Sequence, residues 1–139
     1  MDAKGRIAVP QSLREELQSQ DERPPILTNL VDSPALGLFA HNHWLEIEQR
    51  LANMSQMQPE IQSIQRMLVS GAVECPMDGQ GRLLVPPHLR EHGGLEREVT
   101  IAGVGRRIEF WDRGRFDEEL QSIRDRGREV STIAAELGL

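Results

Sequence analysis

Two arginines in this chain occupy equivalent positions in a repeated segment, and their chemistry suits the binding of a phosphate or of a nucleic-acid base. Arg6 and Arg82 each lie four residues after an aspartate and directly after a glycine. A planar guanidinium can donate two parallel hydrogen bonds to guanine O6 and N7 or to a phosphate. Each arginine could instead pair with its own aspartate and only fix the local turn, so both interpretations stay open from the residues alone.

The spacing around each arginine predicts a tight turn that leads into a short strand. The aspartate side chain can cap backbone N–H groups, and the glycine accepts the positive φ that closes the bend. A short strand follows, and then a proline that ends the strand and presets φ for the first turn of a helix. The residues that we expect to build the two turns are Asp2, Gly5, Asp78 and Gly81.

These turns belong to a longer internal repeat. Residues 1–15 and 77–91 align with a shift of 76 positions and are identical at nine of fifteen positions. Such self-similarity indicates two structural units of one kind. We therefore predict two halves, residues 1–58 and residues 59–139, of which the second also contains a linking helix and a C-terminal helical tail. Units this small bury little apolar surface alone, so the halves should share a core or oligomerise.

The segments after the two motifs predict the same order of strand, helix, hairpin and helix in each half. Asn42 and Asp112 are placed to cap the helices that follow the two hairpins. The fold class predicted from this order is α+β. The four predicted hairpin strands are residues 26–31, 36–39, 99–102 and 107–111.

The doubled pattern D-x-x-G-R-φ-x-φ-P-x-x-φ-R-E resembles that of the MraZ family, and the resemblance covers nearly the whole chain. It implies two tandem AbrB-like swapped-hairpin halves, β-barrel-like in shape, that form an intrachain pseudo-dimer with flanking helices. It also implies a repressor that binds G-rich direct repeats of double-stranded DNA in its own promoter, at the head of the division and cell-wall gene cluster. Members of the family assemble into homo-oligomeric rings.

Within this resemblance, we expect Lys4 and Arg6 to contact DNA. Arg82 is a further candidate, although the second copy has no lysine in its turn, which favours a scaffolding role for that copy. Arg14 and Arg90, each followed by a glutamate, are expected to form ion pairs between halves or between subunits rather than to read bases.

The charge of the chain is unusual for a DNA-binding protein. Its formal net charge is −6 and its pI is about 5.2, whereas nucleic-acid-binding domains are usually basic. The two parts of the chain, residues 1–70 and 71–139, each sum to −3, so neither forms a basic arm. A DNA contact must therefore be local, at the turn that contains Lys4, the one lysine of the chain, and Arg6.

Other chemistry is not predicted. The pairs His41/His43 and His88/His92 have spacings that a metal could use, but no cysteine or carboxylate set completes either site. No serine lies in a nucleophile elbow and no glycine-rich phosphate loop precedes a helix, so we expect no enzyme, cofactor or small-molecule substrate. The single cysteine, Cys75, suits a reducing cytoplasm, and no apolar run predicts a membrane span. We expect a cytoplasmic, nucleoid-associated protein.

Two other functions are compatible with the sequence, an AbrB-like antitoxin and an oligomeric scaffold that binds no DNA. An AbrB-like antitoxin would bind a protein partner as well as DNA, and residues 129–139 are the segment that would capture it. A non-DNA oligomeric scaffold would agree with the negative charge.

In the second copy, strand-forming residues 69–77 precede the turn, whereas the first copy begins at Met1, so we expect the first half to lack its leading strand.

Overall fold

The computed structural model describes residues 1–139 and contains a two-stranded ribbon, a five-stranded sheet and six α-helices. A single π-helical turn, Gln65–Val69, extends the third helix. The strands are β1 (Arg6–Ala8), β2 (Ile26–Asn29), β3 (Leu36–Phe39), β4 (Val73–Glu74), β5 (Arg82–Leu84), β6 (Val99–Val104) and β7 (Arg107–Asp112). The helices are α1 (Gln11–Gln20), α2 (His41–Ala52), α3 (Pro59–Ile64), α4 (Pro87–Gly93), α5 (Arg113–Asp125) and α6 (Gly127–Glu136).

The ribbon joins the two copies of the repeat to each other. Strands β1 and β5 pair antiparallel, and the pairing continues beyond both strands into the glycines of the two turns. The N–H of Val9 donates to the carbonyl of Gly81 at 3.0 Å, and the N–H of Val85 donates to the carbonyl of Gly5 at 2.9 Å. Each half therefore completes the turn of the other, which confirms the swapped-hairpin arrangement and the predicted α+β class.

The five-stranded sheet also combines both halves. Its order is β4-β2-β3-β7-β6, and every neighbouring pair is antiparallel. The β2–β3 hairpin of the first half lies beside the β6–β7 hairpin of the second, through β3 and β7. Strand β4, which leads into the second repeat, pairs with β2 of the first half. Segments 1–58 and 59–139 both supply strands to one sheet, and the boundary between them stays a prediction.

The main hydrophobic core lies between the ribbon and one face of this sheet. Successive residues of a strand point to opposite faces, so only one side of the short ribbon enters the core. Its members include Ile7 and Val9 from the first repeat, Leu83 and Val85 from the second, and Phe110 from β7. Full burial of such a side chain contributes about 1.5–3 kcal/mol. The halves share this core, as the small size of each half predicts.

A second apolar cluster covers the opposite face of the sheet. It contains Phe39, Trp44 and Trp111, which pack with residues of α2 and of the π-helical turn. Glu109 is buried on this side of β7, where its carboxylate accepts hydrogen bonds from the Arg107 guanidinium and the Trp111 indole N–H. These partners compensate for the loss of water around the carboxylate. The α2 helix thus covers the sheet on the side away from the ribbon.

Of the two predicted helix caps, the one at Asp112 is confirmed and the one at Asn42 is wrong. Asp112 caps α5, since its Oδ2 accepts from the N–H of Arg115 at 3.1 Å. The predicted cap at Asn42 is wrong, because α2 begins one residue earlier, at His41. The Asn42 amide instead donates to the carbonyl of Gln20 at 3.1 Å and joins the end of α1 to the start of α2. A contact between distant parts of the chain has replaced a local cap.

The segments around the second repeat are also partly as predicted. Residues 59–68 are helical, as α3 and the π-helical turn, and the tail forms α6. Of residues 69–77, only Val73–Glu74 forms a strand. The α6 helix contains no buried residue.

The register of the ribbon can be tested by two neighbouring leucines. Leu83→Ala should lower the free energy of unfolding by about 2–5 kcal/mol, because Leu83 is 1% exposed and its loss leaves a cavity in the shared core. Leu84→Ala should change it by less than about 0.5 kcal/mol, because Leu84 is 54% exposed. Urea denaturation followed by circular dichroism measures both values. Equal losses in the two variants would contradict the register of the ribbon.

Candidate nucleic-acid interface

The side of the ribbon that faces away from the core presents both arginines. Because side chains alternate along a strand, Arg6 and Ala8 of β1 share this side with Arg82 and Leu84 of β5. We call these four residues the outer face of the ribbon. Arg6 lies opposite Leu84 and Ala8 lies opposite Arg82, so the two arginines are diagonal neighbours, roughly 7–8 Å apart. The fold thus brings together two side chains that are 76 positions apart in the sequence.

The first turn is built as its residue types predict. The Oδ1 atom of Asp2 accepts from the backbone N–H groups of Lys4 at 3.0 Å and Arg6 at 2.8 Å. Gly5 has a φ of 83°, and its N–H donates to the Asp2 carbonyl at 3.0 Å. A side chain at Gly5 would strain this conformation.

The second turn repeats this geometry. The Oδ1 atom of Asp78 accepts from the N–H groups of Gln80 and Arg82, both at 2.9 Å. Gly81 has a φ of 74°, and its N–H also donates at 2.9 Å to the Asp78 carbonyl. The chain runs in opposite directions in β1 and β5, so the two turns lie at opposite ends of the ribbon. Lys4 marks one end, and the uncharged Gln80 marks the other.

Each arginine of the outer face forms an ion pair with the aspartate of its own turn. Arg6 Nε is 2.7 Å from Asp2 Oδ2, and Arg82 Nε is 2.9 Å from Asp78 Oδ2. The alternative interpretation from the sequence, an Asp–Arg pair that fixes the turn, is therefore present in the structure. Only Nε takes part, and the terminal nitrogens of both guanidinium groups have no hydrogen-bond partner within the chain. The aspartates orient the planar guanidinium groups, or forks, of Arg6 and Arg82, and they leave four of the five N–H donors of each guanidinium free.

The carboxylates of the two turns stay charged at neutral pH. The backbone N–H of Arg6, and then its guanidinium, lower the pKa of Asp2 below its usual value. The backbone N–H of Arg82, followed by the N–H of Gln80, lowers the pKa of Asp78 in the same way. Hydrogen bonds that favour the charged form are the common cause. The orientation of both forks therefore persists across the physiological pH range.

Arg14 and Arg90 form no ion pair between the two halves, since neither guanidinium contacts a carboxylate of the chain. The glutamate that follows each arginine is exposed, and ion pairing between subunits stays a prediction. Each guanidinium instead lies over the turn of the opposite repeat, Arg90 over Gly5 and Arg14 over Gly81. A glycine leaves open the space of a missing Cβ, and in both turns an arginine of the other half occupies this space. The repeated arginine was visible in the sequence, but its partner was not.

The remaining candidates do not assemble into a site. No three His, Cys, Asp or Glu residues come together in a geometry that could hold a metal ion. The ring nitrogens of His41 and His88 lie near backbone carbonyls, at 3.3 Å and 3.4 Å. Burial raises the pKa of the Cys75 thiol to about 11, so this cysteine is a protonated core residue. None of the helices has the length and apolarity needed to cross a membrane.

Comparison with known proteins agrees with this doubled architecture. A family model described as "MraZ protein, putative antitoxin-like" matches the chain twice, over residues 1–67 and residues 68–134. The chain belongs to the MraZ family. Each match contains one Asp–Gly–Arg turn and one hairpin, so the MraZ repeat coincides with the structural repeat. The MraZ family is one of transcriptional regulators and not of enzymes.

Curated MraZ relatives are similar over most of the chain, and each is named "Transcriptional regulator MraZ". The protein of Pseudoalteromonas translucida (strain TAC 125) is 38% identical over 121 residues, which cover 87% of this chain and 80% of the relative. That of Hydrogenovibrio crunogenus is 38% identical over 125 residues, or 90% and 82%. That of Yersinia pestis (strain Pestoides F) is 41% identical over 112 residues, or 81% and 74%.

The two turns make the stability of the chain pH-dependent in a predictable direction. A carboxylate whose pKa is lowered on folding stabilises the fold above its unfolded pKa, about 3.9, and this stabilisation is lost as the pH falls through the folded pKa. Replacing both Asp2 and Asp78 by asparagine keeps one oxygen acceptor and removes the titration. The double variant should therefore lose less stability than the wild type between pH 5 and pH 3.

Thermal unfolding followed by circular dichroism from pH 3 to pH 7 measures this difference. Glu136→Gln is a suitable control, because this exposed carboxylate of α6 makes no hydrogen bond or ion pair. An identical acid-induced loss in the double variant and the wild type would refute the role given to the two aspartates.

Proposed function

We propose that this chain is a transcriptional regulator that binds double-stranded DNA through the outer face of the ribbon. The observation that carries the proposal is the presence of two oriented guanidinium forks, Arg6 and Arg82, on one exposed two-stranded ribbon. The major groove of B-DNA is about 12 Å wide and admits a two-stranded β-ribbon, and several DNA-binding proteins place strands in it. The printed names of the MraZ relatives support the same function.

The contacts expected at this face follow from the geometry of the arginines. The free terminal nitrogens of Arg6 can donate in parallel to O6 and N7 of a guanine, and those of Arg82 can do the same or bind a phosphate. A bidentate contact of this kind discriminates against the wrong base by about 1–3 kcal/mol. Lys4, at the end of the ribbon, is placed to contact a phosphate and to contribute to a salt-dependent affinity.

The acidic net charge requires that binding be multivalent. One protomer offers three cationic contacts at this face, while its formal charge of −6 repels DNA as a whole. A homo-oligomeric ring that places several ribbons on evenly spaced direct repeats would raise the effective concentration by orders of magnitude. The acidic residues of α5, such as Asp117, Glu118 and Glu119, would then repel DNA from the other side and fix the docking orientation.

The target that we propose follows from the family resemblance. It is a set of G-rich direct repeats in the promoter of the protein's own gene, at the head of the division and cell-wall gene cluster. Occupancy of these repeats would repress transcription. The protein would then act in the cytoplasm, in association with the nucleoid.

Fluorescence anisotropy with labelled DNA tests this proposal. The probe is a fragment from upstream of the protein's own gene, with a scrambled fragment as its control, at several salt concentrations. We expect salt-sensitive binding of the native fragment alone. Arg6→Ala should weaken it by at least about tenfold, since one bidentate contact is worth about 1–3 kcal/mol. Arg82→Ala should weaken it to a smaller extent.

Arg124→Ala is the matched control for these two variants. It removes the same charge from an exposed position of α5, and the Arg124 side chain makes no hydrogen bond or ion pair. Its binding should stay within about twofold of the wild type, because exposed charges far from the contact are screened. Equally poor binding of both fragments, or wild-type affinity in both Arg6→Ala and Arg82→Ala, would overturn the proposal and favour a scaffold that binds no DNA.

A second candidate function is supported by α6. Val130, Ile133 and Leu137 are exposed and lie at helical spacing, and the family description includes the term antitoxin-like. An antitoxin-type protein would use this stripe to capture a protein partner in addition to DNA. A variant without residues 127–139 should lose a co-purifying partner if this function is present, and should alter only assembly if it is absent.

A further inference from the structure

Two arginines outside the outer face occupy the space of the missing side chains at the two turns. A Cβ atom added to Gly5 would lie 2.6 Å from Nε of Arg90, and one added to Gly81 would lie 2.5 Å from Cδ of Arg14. Both distances are far below a van der Waals contact. The positive φ of the two glycines favours glycine at both positions, and the absence of a Cβ also leaves room for the close approach of an arginine.

The covering arginine comes from the opposite half in both cases. Arg90 belongs to α4 of the second repeat and lies over the turn that leads into Arg6. Arg14 belongs to α1 of the first repeat and lies over the turn that leads into Arg82. The backbone hydrogen bonds also connect opposite halves, from Val85 to Gly5 and from Val9 to Gly81. Each turn is therefore contacted twice by the other half, by an arginine side chain and by a backbone N–H.

The two contacts differ in how firmly the arginine is held. Arg90 Nε donates to the Val85 carbonyl at 2.7 Å, and the N–H of the same Val85 donates to Gly5 at 2.9 Å. One residue therefore ties the arginine and the turn together. Arg14 Nε is buried and has no hydrogen-bond partner. The first turn, which orients Arg6, is the more firmly fixed of the two.

We propose that Arg90 is the positioning residue for Arg6 and that Arg14 is the positioning residue for Arg82. Each guanidinium holds the turn of the opposite repeat closed, so that the aspartate of that turn keeps its arginine oriented on the outer face. The consequence is a crossed dependence, in which a change in the second half impairs the DNA contact of the first. The inference rests on the proposed function only for its DNA-binding consequence.

Hydrogen–deuterium exchange without DNA tests the crossed contact directly. Peptides that cover residues 2–6 and 78–82 report the two turns in the wild type, Arg90→Ala and Arg14→Ala, because the amides of Val9 and Val85, which bond to the opposite turn, lie outside them. Arg90→Ala should speed exchange in residues 2–6 by at least about tenfold and leave residues 78–82 unchanged, because only the first turn loses its cover. Arg14→Ala should show the reverse pattern. Equal acceleration of both turns by either variant, or acceleration of only the turn in the variant's own half, would overturn the proposal.

Anisotropy measurements on double variants test the consequence for DNA. The double variant Arg6→Ala/Arg90→Ala should bind DNA as weakly as Arg6→Ala alone, because both changes act on one contact. The double variant Arg82→Ala/Arg90→Ala should instead show the product of the two single-variant losses of affinity. Losses that multiply in both double variants would overturn the positioning role of Arg90. If Arg90→Ala does not fold, Arg90→Lys serves in both experiments, since it keeps the stem and the charge and loses the Nε donor that bonds to Val85.

The two failures can be told apart. If each variant speeds exchange only in the turn of the opposite half but the protein binds no DNA, the proposed function is refuted and the contact between the halves is supported. If the protein binds its DNA specifically but neither variant speeds exchange in the opposite turn, the contact between the halves is refuted and the proposed function is supported.

Discussion

The reciprocal backbone bonds of Gly5 with Val85 and of Gly81 with Val9 are the contacts on which the rest of the structure depends. Two strands of three residues are too short to be stable alone in water. They persist because their inner side, with Ile7 and Leu83, completes a core that both halves share. The same bonds attach each turn to the other half, and the turns aim both arginines outward. Fold and candidate interface therefore depend on one interaction.

Much of the local structure could be predicted because it is encoded by neighbouring residues. Asp2 and Gly5 specify their turn through bonds that span four residues, and Asp112 caps its helix through a bond to the third residue beyond it. What could not be predicted depends on distant partners. Asn42 bonds to the end of α1 rather than capping its own helix, and Arg90 covers a glycine of the other repeat. Periodicity and turn chemistry do not carry such information.

Under the proposed function, the outer face would let an acidic protein bind DNA, which is also negatively charged, through few, oriented cationic groups. Asp2 partly neutralises Arg6, and an exposed pair of this kind contributes little to stability. Its effect is to restrict the guanidinium before binding, which lowers the entropy lost when a base is contacted. Under the proposed function, such a face would give selectivity for guanine rather than general attraction to phosphate. Affinity would then come from the number of ribbons that contact the DNA at once.

Chemical modification of arginines in the presence and absence of promoter DNA directly tests whether the outer face of the ribbon contacts DNA. The chain has fifteen arginines, and mass spectrometry after phenylglyoxal treatment reports the accessibility of each. We predict that DNA protects Arg6 and Arg82, while Arg124 on α5 and Arg128 on α6 stay as reactive as in the free protein. Protection of α5 and α6 arginines with no change at Arg6 and Arg82 would contradict it.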